Sequence, residues 1–333
     1  MHISVKYIKE NTLIFLLGDY MKRKVVKHGP ATFIISLPSK WIKKFNISKG
    51  DQLNVSEEGK SLLITTERGK KGGKVEVDIT DLDRTSIIFL MRALYKEGYD
   101  EIALIFNNQS TVHYRLDKEI TIMSLIYDEV NKLPGMEVIQ QRPNRCVLKA
   151  LSEMSYSEFD PLLRRIFLLM IDMCNDLIKG IENADQELLA TIEQKHLTIT
   201  KFINFCKRIL KKHGLPDYNR SASMARLITG LKRILDVFKH TGRYAIALKP
   251  KPKKELINIM RDVETEFLFF YQLFYKFRNI KVLKISEIRD KITKSIIKNY
   301  SKLSKEEIIV LTQFSLAADL IASSMQSRIA LEH

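Results

Sequence analysis

The spacing of apolar side chains changes along the chain, and each regime predicts a different kind of structure. From residue 22 to residue 66 apolar and polar positions alternate. Residues 22–27 read as a short strand, Gly29 and Pro30 as a turn, and Phe33, Ile35 and Leu37 as one face of a second strand. Pro38 ends that strand, and Ser39 is placed to cap a short helix carrying Trp41, Ile42 and Phe45, closed by residues 46–50. Leu53 with Val55, then Leu62 with Ile64, supply two further strands around a turn at Glu58 and Gly59. A strand–strand–helix–strand–strand unit this small covers little of its own apolar surface. Completion by a second copy, in a dimer, is expected.

Residues 68–74 (RGKKGGK) read as a basic linker. Beyond it strands and helices mix. Val75, Val77 and Ile79 alternate, 82–96 has helical spacing, 102–106 is a buried-type strand and 112–133 is helical. Two strands, 136–140 and 146–148, flank a turn at Pro143 and Asn144. From Pro161 onward the spacing is helical throughout. Leu162, Ile166, Leu169, Met173, Leu177 and Ile181 form a single apolar stripe. Further helices are predicted over 185–212, 221–248, 253–279, 285–300 and 304–330, with Gly214, Pro216, Pro250 and Pro252 at the joints. The expected fold is multidomain α+β. An extension over 1–20 precedes a small β domain over 21–67; an α/β domain spans 74–150. An all-α domain over 158–330 pairs two three-helix bundles, as an internal duplication would. Met21 is as good a start as Met1, because residues 1–20 add little to any domain.

Charge sharpens this division. The 333 residues carry 55 Lys and Arg against 39 Asp and Glu, a net of +16. Residues 21–74 hold 13 of those cations against 4 acids, whereas residues 75–150 hold 9 against 12. Positive density therefore peaks in the small N-terminal segment, which points to an anionic partner. Three cysteines without a CxxC pair imply neither a disulfide framework nor a zinc knuckle, and a reduced, cytoplasmic setting is expected. The apolar run 13–17 is far short of the roughly 20 residues a membrane span requires, so no membrane insertion is expected. There is no phosphate loop, nucleophile elbow or dinucleotide fingerprint. The chain reads as a non-enzyme without a cofactor.

The stretch KRKVVKHGPATFIISLPSKWIKKFNISKGDQLNV (22–55) resembles the AbrB/SpoVT swapped-hairpin family in its basic first strand, Leu37-Pro38 break, Trp41 helix and Gly50-Asp51 approach to the third strand. It departs from the family pattern at the hairpin turn, where Pro30-Ala31 stands in place of a small polar pair. The resemblance implies an interlocked homodimer that binds double-stranded DNA, or an antitoxin built on the same fold. The residues implied in DNA contact are Lys22, Arg23, Lys24, Lys27, His28, Lys40, Lys43 and Lys44. Arg23 is the candidate for a base edge, since its planar fork can pair with guanine.

The stretches LLRRIFLLMIDMCNDLIKGI (162–181), LKRILDVFKHTGRYAIAL (231–248) and FSLAADLIASSMQSRIA (314–330) resemble the PhoU family of phosphate-signalling proteins, which fold as paired three-helix bundles. Combined with GMEVIQQ (135–141), the whole looks like the archaeal phosphate uptake regulators. That implies a transcriptional regulator of phosphate uptake whose helices sense a state or bind a partner. The alternative is an adaptor for a phosphate transporter or signalling protein, with the N-terminal unit serving as a dimerisation clamp. PhoU proteins carry acidic pairs spaced by four on the third helix of each bundle, where both carboxylates share one helical face and can hold a metal ion. Here those positions read Lys232 with Asp236 and Ser315 with Asp319, so each half keeps one carboxylate and no confident metal site is expected. Asp172 and Asp176 read as a hydrophilic stripe, and His196, His213 and His240 as surface or satisfied core residues. Residues 249–254 read as an extended spacer. The crowd of aromatic residues over 267–277 reads as core, with part available for a bundle or dimer contact.

Overall fold

A computed structural model describes residues 22–58, 61–66, 73–152, 156–215, 218–248 and 251–333. It falls into two compact units, Met1–Lys70 and Lys71–His333. The expected extension over 1–20, Gly59 of the second turn and most of the basic linker lie outside the described residues.

In the first unit β1 (Val26–Lys27) and β2 (Phe33–Ile34) form an antiparallel hairpin, with Val26 opposite Ile34 and Lys27 opposite Phe33. Gly29 supplies the positive φ of +83° that the turn needs, and the His28 amide donates to the Thr32 carbonyl at 2.8 Å. The strands are shorter than the alternation predicts. Lys22, Arg23 and Lys24 precede the paired segment, and Ile35 and Leu37 follow it. Helix α1 (Ser39–Lys44) begins one residue earlier than expected: Pro38 occupies the N-cap and Ser39 is the first helical residue, with no side-chain cap. Strands β3 (Leu53–Glu58) and β4 (Ser61–Thr66) pair antiparallel, with Val55 opposite Ile64.

The second unit opens with β5 (Lys74–Asp78), α2 (Arg84–Lys96) and β6 (Glu101–Ile105). Asp83 caps α2, accepting from the amides of Thr85 at 3.0 Å and Ser86 at 3.1 Å. A small hairpin follows, β7 (Ser110–His113) with β8 (Lys118–Thr121), then α3 (Ile122–Val130), β9 (Met136–Arg142) and β10 (Arg145–Ala150). The four-stranded sheet has the order β5-β6-β10-β9, parallel between β5 and β6 and antiparallel elsewhere. Helices α2 and α3 add Ile87, Met91, Tyr95, Leu125 and Ile126 to a core shared with Ile102, Leu104, Cys146 and Leu148. The continuous helix expected over 112–133 is therefore half hairpin. Asp117 adopts a left-handed φ of 46°, which breaks any helix there, and Thr121 caps α3 by accepting from the Ser124 amide.

Six helices complete the described residues: α4 (Phe159–Asn183), α5 (Gln186–His213), α6 (Tyr218–Ala245), α7 (Lys254–Tyr275), α8 (Asn279–Asn299) and α9 (Lys305–Glu332). Asp185 caps α5, and Ser304 with Glu307 forms a capping box at the start of α9. Helix α6 packs along α9, and α4 meets α7, while α5 flanks α4 and α6 and α8 flanks α7 and α9. Helix α4 buries more than the single predicted stripe, because Leu163, Phe167, Met170, Cys174 and Ile178 are also covered. Phe167 sits among Phe267, Phe270, Tyr271, Phe274 and Tyr275, its ring 5.2 to 6.1 Å from theirs, so most of the aromatic crowd on α7 is core. Gly230 lets α6 approach α9: a Cβ there would lie 2.3 Å from Ser324 Oγ. Helix α9 is long and apolar enough to span a membrane, yet half of that stretch is buried here.

Candidate nucleic-acid interface

In the first unit the sequence supplies cations and apolar residues in turn, and the fold leaves both open. All eight candidate side chains, Lys22, Arg23, Lys24, Lys27, His28, Lys40, Lys43 and Lys44, are exposed. They form two groups. Lys22, Arg23 and Lys24 lie in extended chain leading into β1, which carries Lys27 and ends at His28. Lys40, Lys43 and Lys44 share one face of α1 by their spacing, and the last two sit where the helix dipole favours positive charge. Lys44 Nζ lies 5.6 Å from the Phe45 ring centroid, and Trp41 packs against the same ring at 5.7 Å. Lys49 is a further exposed cation close by that the motif reading did not single out.

The apolar residues are the less expected finding. Val26 is 59% exposed, Phe33 66% and Ile34 45%, and α1 buries no residue. Because Phe33 and Ile34 point to opposite faces of the hairpin, both faces are apolar and both are uncovered. Alternation marked only the Phe33 face. An isolated hairpin with two-residue strands and no covered face is not stable in water.

In the second unit the acidic positions are already engaged. Asp236 accepts from His196 Nε2 at 2.8 Å and from Lys232 Nζ, the group standing at the position of the missing carboxylate. Burial pushes the Asp236 carboxyl up, but the hydrogen bonds and charges of His196 and Lys232 outweigh it and hold the group well below the usual carboxylate range. Burial, with the like charges of Lys232 and Lys239, lowers His196, so near neutral pH the imidazole is neutral and donates to Asp236. Asp319 receives Arg289 Nη2 at 2.5 Å. Lys195 bridges Asp172, at 2.5 Å, and Asp176. Protein cations thus stand at each of these carboxylates.

Residues 28–72 match the family model of the MazE bacterial antitoxins, described as antidote-toxin recognition. Lys22, Arg23, Lys24 and Lys27 lie just ahead of that stretch. The chain is also similar to the crystal structure of the phosphate transport system regulatory protein PhoU from Streptococcus pneumoniae, at 15% identity and a TM-score of 0.42, covering 53% of this chain and 94% of that one. No curated protein matches. An antitoxin-like segment is therefore followed, in one multidomain α+β chain, by a small mixed sheet and a long helical region.

Proposed function

We propose that this chain is a homodimeric, DNA-binding transcriptional regulator of phosphate uptake. One observation carries the reading: a β-hairpin with apolar side chains exposed on both faces, flanked by exposed Lys22, Arg23, Lys24 and Lys27. A second copy interleaved with the first covers both faces at once and doubles the cations around one two-fold axis. Phosphates on either side of a groove then meet basic side chains, with Arg23 the group best suited to a guanine edge. The regulatory half of the proposal is supported by the resemblance of 162–181, 231–248 and 314–330 to phosphate-signalling helices. An effector acts there only through a difference in its affinity for two arrangements of the dimer.

Two measurements test this. In sedimentation equilibrium the full chain is expected to be a dimer, and Phe33→Asp, which puts charge into the shared face, is expected to be monomeric. In fluorescence anisotropy against duplex DNA from the protein's own promoter, affinity should fall about a thousandfold between 50 and 200 mM salt for six or more phosphate contacts. Lys27→Ala should flatten that salt slope and weaken binding about tenfold, and Arg23→Ala should also relax the sequence preference. A dimer that binds no duplex at low salt overturns the regulator and favours the adaptor, in which the N-terminal unit serves only to join two copies.

A further inference from the structure

The contact between the α/β block and the first three helices concentrates positive charge that the carboxylates beside it neutralise only in part. Helix α2 lies against α5 and contributes Arg92 and Lys96; α5 contributes Lys207; α6, also packed on α5, contributes Lys232 and Lys239. Five half-buried cations therefore gather from three helices. Two carboxylates answer part of this charge. Fully buried Glu129 takes Arg92 through both its oxygens, with Lys132 at 3.5 Å, and Asp236 takes Lys232, with Lys239 at 3.7 Å. Lys96 and Lys207 form no ion pair among the described residues. Burial lowers the Lys207 ammonium to about 8, and the like charges of Lys96 and Lys232 push the same way.

A second observation comes from α5 itself. His196, Thr200, Asn204 and Arg208 recur every four residues and so make one polar stripe along the helix, all of it buried. Its ends are anchored: His196 Nε2 holds Asp236 and Arg208 Nη1 holds the carbonyls of Tyr95 and Tyr99, although His196 Nδ1 and Arg208 Nε have no hydrogen-bond partner among the described residues. Its middle is not anchored in this way. Thr200 Oγ1 and Asn204 Nδ2 are 4% and 5% exposed residues' polar atoms with no hydrogen-bond partner among the described residues. Buried donors of this kind cost free energy unless a partner arrives. Lys207 follows Asn204 by three residues, on the neighbouring part of the same face.

We propose that the seam where α2, α5 and α6 meet binds a small multivalent oxyanion, a phosphate or the phosphoryl group of a larger molecule, on Lys96, Lys207 and Lys232 with the Thr200 hydroxyl and the Asn204 amide as neutral donors. Such an anion neutralises the unmatched ammonium groups and satisfies the two orphaned donors together. A monovalent halide, one atom with one charge, can neither neutralise two ammonium groups nor reach both sets of donors. The site stands on its own geometry; that this anion is the effector of the regulator rests on the function proposed above.

The test is calorimetric titration of the full chain, without DNA, at constant ionic strength. Inorganic phosphate and ADP are the probes, and sodium chloride and adenosine the controls. Saturable binding of phosphate or ADP, with no response to either control, is expected. Lys96→Met and Lys207→Met should each weaken it at least tenfold, and Thr200→Val by a smaller factor. Removing a like charge does not unfold the protein, so the unliganded Lys207→Met melting temperature should equal or exceed that of the wild type. Saturation by ADP alone assigns the site to a phosphoryl group carried on a larger molecule. No saturable binding of either probe, or binding undiminished in both Met variants, overturns the inference. Because DNA is absent, failure of duplex binding leaves this result standing, and failure here leaves the DNA reading intact without this effector.

Discussion

Replacing Arg208 by alanine will destabilise the second unit by about 3–5 kcal/mol, the range for breaking a buried charged network by removing one partner. The guanidinium is 1% exposed and reaches from α5 to the start of the next strand. It donates to the carbonyls of Tyr95 at 2.7 Å and Tyr99 at 2.8 Å, pairs with Asp100 Oδ1 at 2.5 Å and lies over the Tyr95 ring at 4.8 Å. Lys212 also binds Asp100, at 2.6 and 2.9 Å, so the carboxylate keeps a partner in the variant. The Tyr95 carbonyl keeps the Gly98 amide, at 3.1 Å, whereas the Tyr99 carbonyl loses Arg208. Arg208→Lys should recover less than half of the loss, because a single ammonium cannot reproduce the planar fork. Urea denaturation measures the cost, and hydrogen exchange in α2 should accelerate in parallel as the α/β block loosens from α5. A loss under 1 kcal/mol would show that Arg208 does not fasten the block.

The second large effect runs in the stabilising direction. Glu266, in the middle of α7, is wholly buried, and neither carboxyl oxygen has a hydrogen-bond partner among the described residues. Burial raises its pKa to about 8, against a small opposing pull from the charge of Arg289. The native state therefore keeps a proton that the unfolded state releases from about pH 4.5 upward. Stability attached to this group is complete at low pH and is lost as pH rises toward 8, at about 1.4 kcal/mol per pH unit. Glu266→Gln removes that dependence. Relative to the wild type, the variant should gain about 3 kcal/mol between pH 5 and pH 8 in chemical denaturation. A difference that stays flat across that interval would mean that Glu266 ionises normally.

How much of this was legible follows from the range of the interactions involved. The six long helices were readable because an apolar period of three or four residues persists over each, and a persistent period leaves few alternatives. The segment 112–133 misled because the helical spacing of Ile122, Leu125, Ile126 and Val130 invites extension back across the hairpin. The decisive feature was Asp117 in a left-handed conformation, which a single aspartate does not announce. In the first unit the cationic runs were visible as sequence, whereas the second apolar face of the hairpin was hidden in Ile34, a residue the alternation assigned to the polar side. The seam on α5 was invisible. Residues 96, 207 and 232 are far apart in the chain and meet only through tertiary packing; the recurring His196, Thr200, Asn204 and Arg208 were the one local signal, a polar stripe beside the buried apolar residues Ile192, Ile199, Ile203 and Leu210.

The close approach at Gly230 ties the two halves of the helical region together. With α6 laid along α9 and the Phe238 ring 6.4 Å from Phe314, the third helix of each half supplies interior for the other. Neither half can be harvested as a self-sufficient fragment: severing the chain between Ala245 and Lys254 and separating the pieces would strand both interiors in water. The two sets of three helices form a single cooperative object, and insertions or truncations in one half will be felt as loss of the other.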